Sequence, residues 1–132
     1  MKNSALRAKM AAAAQAVYDA WGALEESDPD GFEMEYGGGG ICHLIADAFC
    51  EVLDQEGFSC RTVSDMMSSA GVHVFAAFEY SGAYYSADIP CFIYEKGFAY
   101  SFSRVPDVHF DASDVSIERL SWTQEDFESE DY

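Results

Sequence analysis

Apolar positions Leu6, Met10, Ala13, Val17, Trp21 and Leu24 recur every three or four residues. That spacing lines one face of a helix and predicts an amphipathic helix from about Ser4 to Glu25. Residues 26–35 (ESDPDGFEME) mix turn formers with charge and predict a loop, which Gly37 to Gly40 extend. A second, better patterned helix follows. Ile41, Leu44, Ile45, Ala48, Phe49, Val52 and Leu53 form one stripe, Asp47, Glu51 and Asp54 lie opposite, and Gly57 supplies a C-terminal stop.

Beyond Gly57 the period shortens towards two. Phe58 to Val63 predicts a short strand and Ser64 to Ala70 a loop. Val72–Tyr80 and Ala83–Ile89 flank Ser81-Gly82, the pattern of a β-hairpin. With a two-residue turn, Val74, Ala76, Phe78, Tyr85, Ala87 and Ile89 share the more apolar face, which is expected to meet the core. The other face carries His73, Phe75, Ala77, Glu79, Tyr84, Ser86 and Asp88. Cys91 to Phe110 predicts irregular strands or a covering loop, and Val115 to Trp122 an edge strand. Gln124 to Tyr132, with five acids among nine residues, reads as a frayed tail.

At 132 residues there is room for one core, so residues 1–123 are expected to form a single α+β domain, helices packed on an antiparallel sheet, and residues 124–132 its tail. The 49% hydrophobic content excludes a disordered chain. Twenty-four acidic residues against 7 basic ones give a formal charge of -17, which repels nucleic-acid phosphates and anionic lipid, so neither is an expected partner. No run approaches the roughly 20 apolar residues of a spanning helix. Cys42, Cys50, Cys60 and Cys91 show no metal-type spacing with His43, His73 or His109, which predicts no metal site and reduced thiols in a cytoplasm. The glycine run lacks the lysine of a phosphate-binding loop, and no organic cofactor is expected.

Three residues carry the candidate chemistry. Cys42 falls in the first turn of the second helix, where unpaired backbone N–H groups and the helix dipole favour a thiolate. His73 opens the first hairpin strand and Asp88 closes the second, diagonal neighbours with Cα atoms about 7–8 Å apart. Asp88 could fix the His73 tautomer while His73 takes the Cys42 proton. Taken singly, each has a plainer role: a small buried cysteine, a histidine bonded to a carbonyl, an aspartate capping a turn. His43 points about 100° round the helix from Cys42 and should face solvent. Cys50 lies on the polar-to-apolar boundary of the same helix, about 12 Å along its axis from Cys42, and cannot bridge to it; Cys60 and Cys91 read as structural, and Arg61 as the partner of a carboxylate.

The run GGGGICHLIADAFCEVLDQEGFSCR followed by GVHVFAAFEYSGAYYSADIP resembles the core of the papain-like cysteine superfamily, in its transglutaminase-like branch. There a Cys opens a helix, a Gly-X-X-X-Arg segment follows (here Gly57 and Arg61), a His starts a strand and an Asp ends the next. The NlpC-like branch, which cleaves cell-wall peptides, is the second resemblance. The likeness covers residues 37 to 90 and implies a papain-like fold and acyl transfer through a thioester, with Cys42 as nucleophile, His73 as general base and Asp88 as orienting acid. It implies a cysteine peptidase, amidase, deamidase or transglutaminase-like enzyme acting on a protein or peptide, and the acidic surface favours basic or amine-bearing substrates. Relatives often hold the oxyanion with a Gln or Trp upstream of the Cys. Here Tyr36 is the nearest polar side chain, with the backbone around Gly40 as the other donor. A binding or regulatory protein that keeps the fold without turnover is the alternative.

Overall fold

The computed structural model describes residues 4–27, 41–65, 73–89 and 109–129. Helix α1 spans Ser4–Ser27 and α2 spans Ile41–Gln55. The strands are β1 (Cys60–Asp65), β2 (His73–Tyr80), β3 (Ala83–Asp88) and β4 (Ser116–Leu120), with a 3-10 turn at Ala112–Asp114 and a last helix α3 at Gln124–Glu128. The fold class is α+β. All four strands are antiparallel, in the order β1-β2-β3-β4. The expected glycine loop before Ile41, most of the loop after β1 and the segment 91–108 lie outside the described residues. No described helix is long and apolar enough to cross a membrane.

α1 buries Leu6, Met10, Ala14, Tyr18 and Trp21, a stripe turned slightly from the expected one because Ala13 and Val17 are only half-buried. With alanine at five of residues 8–14, periodicity alone leaves the stripe's centre loosely defined, and the large Tyr18 fixes it. Its ring meets Phe110 edge-on at 5.8 Å, and Gln15 accepts the Phe110 N–H at 2.9 Å. The Arg7 guanidinium donates to the Val115 carbonyl. α1 therefore packs on α2 and on the stretch leading into β4.

α2 presents Ile45, Phe49 and Leu53 to the sheet, where Ala76, Phe78, Ala87 and Ile89 complete the core. Asp47, Glu51 and Asp54 face solvent as patterned. The helix ends where Gly57 sits at φ +89: Phe58 N–H bonds the Leu53 carbonyl at 2.9 Å and Gly57 N–H bonds Asp54 at 3.0 Å. This is a Schellman motif, with Phe58 folded onto the core. It occupies Phe58 and Ser59, so β1 begins at Cys60 rather than at Phe58 as the pattern predicts. Gly57→Ala is expected to lower the unfolding free energy by about 1–2 kcal/mol in denaturant titrations, through backbone strain. A Cβ there meets no atom within 4 Å, so Gly57→Asn, more tolerant of positive φ, should recover part of the loss.

The hairpin turns on Ser81 (φ 50) and Gly82 (φ 76), both left-handed as a type I′ turn requires. Tyr80 pairs with Ala83, Phe78 with Tyr85 and Ala76 with Ala87, the predicted register. The second face of the sheet is covered too: Val63, Ala77 and Tyr84 are buried. Part of the cover is the acidic segment expected to fray. Thr123 and Asp126 close a capping box at the start of α3, Phe127 stacks on Tyr84 at 4.9 Å, and the Arg61 guanidinium donates to the carbonyls of Phe127 (2.9 Å) and Ser129. Apolar burial and a satisfied helix end outweigh the charge of the neighbouring acids.

Candidate functional site

Topology gathers the candidate residues at one end of the fold. From Gly57, α2 runs back 15 residues to Cys42, a rise of about 22 Å, while β1 runs out over the six residues Cys60–Asp65, about 20 Å. α2 packs along β1 and β2, so the start of α2 lies level with the end of β1. There Asp65 pairs with His73, the first residue of β2. β3 runs parallel to β1, bringing Asp88 to the same end, where it pairs with Ser116 at the start of β4. Cys42, His73 and Asp88 thus belong to three elements that terminate together.

The strand faces add a constraint. Residues alternate along a strand, and α2 packs on the face of Ala76, Phe78 and Ala87. Asp88 has the parity of Ser86 and of Tyr84, which stacks on Phe127, so it belongs to the opposite face. His73 is on the same parity as Ala77. His73 is the first residue of β2, at the end of the strand. Tyr36 and Gly40, the expected oxyanion groups, lie outside the described residues, as does Cys91.

His43 is exposed, its Nε2 3.2 Å from the Asp47 carboxylate one turn on, which fits the solvent-facing position predicted for it. Among the described residues, no group of three or more His, Cys, Asp or Glu side chains is arranged to hold a metal ion.

Two contacts were not anticipated from the sequence. Arg61, expected to pair with a carboxylate, reaches the main-chain carbonyls at the end of α3. Cys50 and Cys60 are free thiols brought close together: the Cys60 Sγ donates to the Cys50 carbonyl at 3.2 Å. A signal for this existed. Cys50 lies seven residues before Gly57 and Cys60 three after it, a retreat of about 10 Å along the helix matched by about 10 Å along the strand. Burial, reinforced by Cys60, pushes the Cys50 thiol up to about 12, and burial raises Cys60 as well. No family model, curated protein or solved structure matches this chain.

Proposed function

We propose that this chain is a small cysteine-dependent acyl-transfer enzyme of papain-like, transglutaminase-like type, with Cys42 as nucleophile, His73 as general base and acid, and Asp88 as the group that orients His73. The supporting observation is the order helix, strand, strand, strand, with the start of α2, the start of β2 and the end of β3 converging at one edge. Helix-start N–H groups favour a thiolate at Cys42. The thiolate attacks the carbonyl carbon of an amide, the tetrahedral intermediate expels the amine as His73 donates a proton to it, and a thioester remains on Cys42. Water, deprotonated by His73, then attacks the thioester, releasing the acid and the Cys42 thiolate. Hydrolysis is favoured over amine transfer because a domain of this size offers little surface for a second substrate. The charge of -17 favours peptides bearing lysine or other amines. The mechanism needs Cys42 reduced, which fits a cytoplasmic setting.

An activated acyl donor tests this without knowledge of the natural substrate. Given p-nitrophenyl acetate, the protein should release p-nitrophenolate in a burst, with a thioester-linked acetyl group mapped to Cys42 by peptide mass. Cys42→Ala should remove both burst and adduct. Slow release with acetyl groups only on lysines, from a folded protein, would contradict the proposal and leave the binding-protein alternative.

A further inference from the structure

We propose that Cys50 and Cys60 form a redox pair that closes into an intramolecular disulfide by exchange with a low-molecular-weight disulfide, stapling the C-terminal half of α2 to the start of β1. The inference stands apart from the acyl-transfer proposal and uses neither Cys42 nor His73. The Cys60 sulfur already reaches the Cys50 residue across the Schellman turn, donating to its carbonyl at 3.2 Å, and both residues are half-buried. The turn itself is well braced: Gly57 and Phe58 N–H groups are bonded back to α2 and the Glu79 N–H is bonded to the Ser59 carbonyl at 3.0 Å.

The order of steps follows from the surroundings. Burial holds both thiols protonated, Cys50 most strongly, and the nearby Asp54 charge adds to this at Cys60 while hydrogen bonding partly offsets it. Cys60, the less strongly held of the two, attacks first. Its thiolate attacks one sulfur of glutathione disulfide, breaking that S–S bond, forming a mixed disulfide and releasing one glutathione thiolate. Cys50 then loses its proton to solvent and attacks the Cys60 sulfur, expelling the second glutathione thiolate. The protein is oxidised by two electrons and the glutathione disulfide is reduced to two thiols.

The test incubates the whole, folded chain with glutathione disulfide at about pH 9.5, above the ordinary thiol range, for long enough that the thiolate fraction of these raised thiols reacts. Remaining thiols are then blocked with iodoacetamide and the chain is digested without reductant by a glutamate-specific protease. Cleavage after Glu51 and Glu56 separates the two cysteines. The expected map joins residues 36–51 to the fragment beginning at Gly57 with loss of two hydrogens, fragment ions placing the bridge on Cys50 and the alkyl group on Cys42 of the same fragment, and reductant splits them. The oxidised form should also melt at a higher temperature, because the bridge restricts the unfolded chain. A map in which Cys50 or Cys60 stays alkylated, keeps glutathione, or links to Cys42 or Cys91 overturns the proposal. An oxidised form that melts no higher than the reduced one overturns the staple.

Discussion

Phe78→Ala should cost about 3–5 kcal/mol of unfolding free energy, a large part of the roughly 5–15 kcal/mol typical of a folded domain. Phe78 is wholly buried in the middle of β2. Its ring stacks on Tyr85 at 5.7 Å, meets Phe58 edge-on at 5.5 Å, and belongs to the cluster that includes Phe49 and Leu53 of α2. Removing it opens a cavity that the surrounding side chains cannot fill, since Phe58 is tied to the helix stop and Tyr85 to the strand register. The loss should appear as a fall in the denaturant midpoint at unchanged slope. Tyr80, two residues on and on the same face, is 40% exposed, so Tyr80→Ala should cost far less. Equal, small losses at both positions would contradict the packing of α2 on this face.

Legibility followed the strength of the local physics. α2 and the hairpin could be read because period, stop and turn agreed: Gly57 ends the helix and Ser81-Gly82 sets a register in which only one parity of residues is apolar enough for the core. α1 was legible as a helix, but its alanines blurred which side chains lie innermost. β1 was displaced by two residues because the Schellman motif claims Phe58 and Ser59, a demand that strand propensity does not register. α3 was missed because acid content was weighed over the Thr123-x-x-Asp126 cap and the apolar Phe127 behind it. At the candidate site, the common end of Cys42, His73 and Asp88 was legible from element order and parity. That Asp88 lies on the face opposite α2 was implicit in the same parity. The Arg61 contact depends on tertiary placement that no local pattern announces, whereas the Cys50–Cys60 contact was readable from the spacing of the two cysteines about Gly57.

His73→Ala is expected to slow acylation of Cys42 by about 10²–10⁴-fold, the range of a lost general base. Asp88→Asn should slow it less than His73→Ala, because the amide still accepts a hydrogen bond but no longer supports the imidazolium that forms when His73 takes the proton. Both residues sit at strand termini, and Asp88 is not part of the buried cluster built around Phe78. The variants should therefore retain the denaturant midpoint of the parent, which separates a chemical effect from a folding one. The p-nitrophenolate burst rate at fixed pH measures the ratio.

The activation of Cys42 can be followed directly through its rate of alkylation by iodoacetamide as a function of pH, with the adduct mapped to Cys42 by peptide mass. A thiolate formed at the helix start beside an imidazole predicts half-maximal reactivity below about pH 7, moving upward in His73→Ala. A Cys42 that ionises near pH 8.5, like an ordinary thiol, and is indifferent to His73→Ala would contradict the account.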